Sequence, residues 1–138
     1  MKPKRFLNQR AQLSRSGTAV VELAVCLPLM ALLIFASIEG ANMLFLRQAA
    51  VQSAYEAAKA AARSDGGQSL GLQRAQEVLA ARSIDGSTIN FSPANVDTLA
   101  AGTPFTVSVT VPGSAKSITG IGPFGGINIQ TQATMAKE

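Results

Sequence analysis

Residues 19–38 read A-V-V-E-L-A-V-C-L-P-L-M-A-L-L-I-F-A-S-I, and seventeen of these twenty are apolar, the exceptions being Glu22, Pro28 and Ser37. A helix of about 20 such residues crosses a hydrocarbon layer of about 30 Å. A buried core helix would have the same composition, but a chain of 138 residues has no core large enough to surround it. The stretch is therefore read as a membrane-spanning helix. It is too long for the apolar region of an ordinary secretory signal, which runs about 7–15 residues. Leu23-Ala24-Val25-Cys26 imitates a lipidation signal, but Val25 is bulky and most of the apolar run lies after Cys26. Cys26 is read as a small apolar residue inside the span.

Working outward, the charge is unevenly placed. The chain carries 12 basic and 8 acidic residues, a formal +4. Lys2, Lys4, Arg5, Arg10 and Arg15 put five of the positive charges before the span with no acidic residue among them, leaving seven basic against eight acidic beyond residue 17. Basicity confined to a leader is not the basic face of a nucleic-acid binder. It orients the span with its N-terminus in the cytoplasm and the remainder in the periplasm. Composition narrows the chemistry further. There is no His, no Trp, one Tyr and one Cys, which removes Ser–His pairs, His-ligated metal and internal disulfides. Asp65, Glu77, Asp85 and Asp97 show no paired spacing for acid–base work. No catalytic residue, cofactor or metal is expected.

A carboxylate inside a membrane costs about 2.5–3.5 kcal/mol near the centre, less toward the interface. Glu22 is either a tolerated edge residue or a functional one, and its neighbours favour the second reading. In Gly17-Thr18-Ala19-Val20-Val21-Glu22, a cut after Gly17 would leave Thr18 as the new amino terminus, four residues before Glu22 on the same helix face. The fresh ammonium, from the same chain or a neighbour, would supply the partner that a buried carboxylate needs, and a paired buried charge fixes register. Pro28 removes one backbone hydrogen bond within the span and is expected to kink it.

Past Glu39 and Gly40, residues 41–63 contain no Pro or Gly, and eight of the fourteen from Ala49 to Ala62 are Ala, the strongest helix former. The helix is expected from Thr18 to Ser64, ended by Asp65-Gly66-Gly67. Leu46, Ala50, Ser53, Ala57 and Ala60 or Ala61 form a seam of mostly small residues, open to two uses: packing on the chain's own C-terminal part, or close contact with the helix of another subunit. A second helix is expected over Ser69–Arg82 with Leu72, Ala75, Val78 and Leu79 on one side. Strands are expected at Thr88–Ser92, Phe105–Val111 and Ile127–Met135, the latter two by apolar–polar alternation, with a Gly/Pro/Ser loop from Pro112 to Gly126. The fold class is α+β, a small antiparallel sheet laying its apolar face on the long helix. Gly120–Gly125 matches G-x-G-x-x-G but leads into a strand with thirteen residues left, so no βαβ unit follows. The expected organisation is a basic cytoplasmic leader over 1–17, a transmembrane helix over 18–38, a periplasmic continuation over 39–64 and a small α+β periplasmic domain over 65–138.

Basic leader, Gly17, Glu22 and an immediate apolar run together resemble the processing signature of type IV prepilins and pseudopilins. With Pro28, Ile38-Glu39-Gly40-Ala41-Asn42-Met43-Leu44, Arg47-Gln48-Ala49 and Ala57-Ala58-Lys59-Ala60-Ala61-Ala62, the layout resembles TadE-like pseudopilins of the tight-adherence (type IVc) pilus system. One position departs: the residue after the Glu, often aromatic in these proteins, is Leu23. The resemblance implies a non-catalytic minor pilin of the bacterial inner membrane that takes part in initiating or assembling a pilus. Gly17 and Thr18 would flank the cut of a prepilin peptidase, and Glu22 would guide assembly. The implied partners are that peptidase, other pilin or pseudopilin subunits, the assembly platform in the inner membrane and the bilayer itself, with no nucleic acid. A pseudopilin of a type II secretion or DNA-uptake machine, and an uncleaved single-pass anchor carrying a binding module, are the alternatives.

Overall fold

A computed structural model describes the backbone of residues 5–117 and 126–138, with side chains from residue 17 onward within those ranges. The G-x-G-x-x-G look-alike at Gly120–Gly125 and the side chains of the basic leader lie outside the described residues. The chain is α+β: helix α1 (Arg5–Ala62), helix α2 (Gln68–Ala80), strands β1 (Thr88–Ser92) and β2 (Pro104–Pro112), a short 3-10 turn at Gly113–Lys116, and strand β3 (Asn128–Ala136). The three strands form one antiparallel sheet in the order β1-β2-β3. By compactness the chain divides into two units, Met1–Ile38 and Glu39–Glu138. Among the described residues, the first holds the N-terminal part of α1. Helical hydrogen bonding begins at Arg5 rather than Thr18 and continues through Pro28.

In the second unit, β2 carries the core. Its sequence F-T-V-S-V-T-V sends Phe105, Val107, Val109 and Val111 to one face, all buried, because successive strand residues point to opposite sides. The register sets Val107 beside Phe91 of β1 and Ala133 of β3, and Val109 beside Ile89 and Thr131. Against this face lies the C-terminal part of α1, whose Leu46, Ala49, Ala50, Ala54, Ala57, Ala58 and Ala61 are buried with Leu79, Ile84 and Val96. The other face of the sheet is polar and uncharged; Thr106 and Thr134 share a cross-strand hydroxyl hydrogen bond of 2.8 Å there.

Alanine on α1 lets α2 approach closely. Buried Ser53 donates its hydroxyl to the Ala75 carbonyl at 3.1 Å, and a Cβ on Gly71 would meet Ala57 O at 2.8 Å, Ala61 Cβ at 3.0 Å and Phe91 Cζ at 3.1 Å. The buried face of α2 is accordingly Gly71, Ala75 and Leu79. This corrects the expected face: Leu72 is 37% exposed and Val78 only half-buried. A hydropathy pattern gives a side-chain-less Gly no weight, yet it marks where the helices touch. Ser53→Ala is expected to cost about 1 kcal/mol, a net buried hydrogen bond. That lowers the thermal midpoint of the full-length chain in detergent by about 4–8 °C; an unchanged midpoint would remove the bond from the account.

The helix ends are closed by distant residues. The first amide of α2, Gln68 N–H, donates to Asp97 Oδ1 at 2.8 Å, doing the work of an N-cap from the loop before β2. At the C-terminal end of α1, Lys137 Nζ donates to Ala61 O and Arg63 O, both at 2.9 Å. Glu138 N–H donates to Ala62 O at 2.8 Å. A cation and an amide thus meet the unpaired carbonyls where the helix dipole is negative. Arg63 also forks onto both carboxylate oxygens of Asp65 at 3.0 and 2.9 Å, and these hydrogen bonds hold the Asp65 carboxyl below its ordinary range.

Candidate assembly site on the apolar helix

Every side chain from Gly17 to Ile38 is exposed, including Val20, Leu23, Leu27, Met30, Ile34 and Phe35. A buried core helix would cover one or all of its faces with protein. This one covers none, and its apolar surface runs all the way round. Among the described residues it is the only helix long and apolar enough to cross a membrane, with none of its most apolar window buried. It fits a single-pass membrane anchor.

Three features interrupt this uniform surface. Glu22 is exposed on the helix and makes no ion pair among the described residues. Gly17 lies within continuous helix, and a Cβ built there has open space around it. Glycine costs an exposed helix interior about 1 kcal/mol relative to Ala, and no packing contact among the described residues requires it. This contrasts with Gly71, whose lack of a side chain the fold uses directly. Pro28 has no amide hydrogen to offer the Ala24 carbonyl one turn earlier, so the helix lacks one backbone hydrogen bond at that level.

Thr18 and Glu22 lie one helical turn apart on one face, as their spacing requires. The small-residue seam has a different fate from the exposed anchor. Leu46, Ala50, Ser53, Ala57 and Ala61 are fully buried against the chain's own sheet and α2, so that face is taken up internally. What sequence reading missed is the face left over. Leu44, Val51 and Tyr55 of α1 stand 64%, 51% and 50% exposed. Their spacing is legible in the sequence, but the adjacent alanine face looks like the stronger helix contact until the sheet is seen to occupy it.

Among the described residues no group of His, Cys, Asp and Glu is arranged to hold a metal ion. Among the described residues, open grooves on α1 and a small polar dent between α2 and the turn at Asp85-Gly86 bring no titratable groups together around a reacting position. The arrangement suits insertion and packing.

Comparison with known proteins agrees with this. The family model described as TadE-like protein matches residues 17–59, from Gly17 through the anchor and most of the remaining length of α1. No curated protein and no solved structure matches the chain.

Proposed function

The chain is TadE-like over residues 17–59, and on that premise we propose that it is a minor pilin or pseudopilin taking part in the assembly or initiation of a tight-adherence pilus. Its work is structural. A prepilin peptidase cuts between Gly17 and Thr18 on the cytoplasmic side, and the apolar part of α1 stays with the mature protein as its inner-membrane anchor. The Glu39–Glu138 unit stands in the periplasm. The new Thr18 ammonium then pairs with Glu22, within the chain or across to the next pilin subunit. That pairing turns a charge that opposes burial into one that sets the register in which the assembly platform packs subunits. Pro28 bends the anchor within the bilayer.

The observation that carries this reading is Gly17: a glycine in a continuous helix at which an added Cβ meets nothing within 4 Å among the described residues, one residue before Thr18 and five before the only acidic residue of the span. Packing among the described residues gives no reason for it, whereas a peptidase that must bring the scissile backbone close to its catalytic groups does. The test is the intact mass of the membrane-extracted chain, with and without a co-expressed prepilin peptidase. The expected product begins at Thr18 only when the peptidase is present. An intact Met1 in both samples would sink the processing claim and favour an uncleaved anchor carrying a binding module.

A further inference from the structure

Contacts at both ends fix how β3 runs along the part of α1 that belongs to the second unit. At one end, Lys137 Nζ meets the carbonyls of Ala61 and Arg63, and Glu138 N–H meets that of Ala62. At the other, Ile129 and Gln130 line one open groove with Gly40, Met43 and Leu44. The lengths agree. Gly40 to Ala62 is 22 residues of helix, about 33 Å. Asn128 to Glu138 is 10 residues of extended chain, also about 33 Å. The start of β3 therefore comes level with Gly40.

Gly40 lies two residues past Ile38, where the apolar run ends. A group beside it lies within the headgroup layer, which adds about 5–8 Å to each side of the hydrocarbon. More than β3 reaches this level. Gly113 N–H donates to Ile127 O at 2.8 Å, so the turn Gly113–Lys116 sits at the same end of the sheet. The turn at Asp85-Gly86 joins it, since a Cβ on Gly86 would lie 3.6 Å from Pro112 Cγ. Ile127 continues the core-side alternation of Ile129 and Thr131, yet the α1 members of the apolar core begin at Met43. It is accordingly 46% exposed, and a Cβ on neighbouring Gly126 meets nothing within 4 Å among the described residues. Lys116 and Asp85 bring a cation and a carboxylate to this end, a balance that suits a zwitterionic surface.

We propose that this end of the sheet, the turn Gly113–Lys116 with Ile127 and Asn128, rests in the phospholipid headgroup layer of the bilayer that holds the anchor. Ile127 reaches toward the acyl boundary, while Lys116 and Asp85 meet the phosphate and the ammonium of zwitterionic headgroups. Lipid is the occupant because the chain leaves the bilayer at Gly40, so headgroups already surround that level and a second protein must displace them. Withdrawing the subunit from the membrane then breaks this contact as well as freeing the anchor. The proposal rests on the single-pass anchor and not on cleavage after Gly17.

The chain has no Trp, so one introduced Trp reports its own surroundings. Full-length variants are reconstituted in phosphatidylcholine vesicles whose acyl chains carry bromine near the glycerol end, a short-range quencher of Trp fluorescence. Ile127→Trp and Asn128→Trp are expected to be quenched about threefold more than Thr134→Trp, which lies about 20 Å farther along β3. Either of the first two suffices if the other perturbs the strand. Phe35→Trp, in the anchor, is expected to be quenched as well. Equal quenching at the start of β3 and at Thr134→Trp overturns the proposal. So does blue-shifted emission without quenching at the start of β3, which means that protein, from this chain or a second copy, covers that end. In both cases a quenched Phe35→Trp leaves the anchor standing. An unquenched Phe35→Trp overturns the anchor, and the headgroup contact with it.

Discussion

Gly71→Leu abolishes the folded Glu39–Glu138 unit, while Gly40→Ala, a glycine substitution in the same chain, leaves it as stable or more so. The two glycines look alike in the sequence, each inside a helical stretch. At Gly40 an added Cβ finds nothing within 4 Å, so only the gain in helix propensity remains, at most about 1 kcal/mol. At Gly71 the Cβ meets a backbone oxygen at 2.8 Å with Ala61 and Phe91 close behind, so neither a rotamer change nor a small side-chain shift relieves it. Alanine there is expected to lose about 1–3 kcal/mol to overpacking, more than its propensity gain. Leucine must push α2 off α1, breaking the Ser53–Ala75 hydrogen bond and uncovering an alanine-lined core with few large side chains. Against a total stability of about 5–15 kcal/mol for a domain, that displacement is enough to unfold it. Circular dichroism melting of the full-length chain in detergent separates the outcomes. Gly71→Leu should show no cooperative transition beyond that of the anchor helix, and Gly71→Ala a midpoint lowered by about 4–8 °C per kcal/mol lost. A native midpoint for Gly71→Leu would mean that α2 is not seated on α1 as described.

The contrast between these glycines also marks what the sequence could and could not reveal. Strands were legible where alternation was strict. Thr88–Ser92 agrees at both ends, and the Phe105–Val111 and Ile127–Met135 expectations differ from β2 and β3 by one residue at each terminus, because period-two burial writes itself directly into F-T-V-S-V-T-V. The apolar span was legible for the same reason: its length and composition are the property that a bilayer selects. Alpha-2 was found, but its buried face was not, since Gly71 and Ala75 carry almost no hydropathy and Leu72 carries much. The small-residue seam from Leu46 to Ala61 was visible, but its partner was not, because alanine at helical spacing serves a sheet and a second helix equally well. Only the sheet's position decides between them. The closing of helix ends by Asp97 and Lys137 lies beyond any local pattern, linking Gln68 to a residue 29 positions away and Ala61 to one 76 away. For the proposed site, Gly17, Thr18 and Glu22 are legible as a local pattern and nothing more. The role proposed for them depends on an enzyme and on neighbouring subunits that would act on the chain from outside.

That dependence gives the second large effect its form. Glu22→Ala inserts into the membrane at least as well as the native chain, because removing a carboxylate from the span relieves a cost of up to about 2.5–3.5 kcal/mol. It is also expected to support pilus formation at a tenth of the native level or less, a loss of register equivalent to about 1.4 kcal/mol or more. A residue that only tolerated its position would give the first result without the second. The identity of the missing partner can be read from a double-mutant cycle. If the Thr18 ammonium is the group that Glu22 meets, blocking the cut with Gly17→Leu removes that ammonium, and adding Glu22→Ala then causes little further loss. If Glu22 acts through some other cation, the two losses combine. Gly17→Leu is suited to this use because the space around that position is open, so the substitution blocks processing without disturbing the packing of the chain. Pilus counts by electron microscopy, normalised to membrane-inserted protein, give all four corners of the cycle. Full piliation by Glu22→Ala would end the assembly role. Additive losses would retain that role but transfer the ion pair from Thr18 to a cation on another subunit.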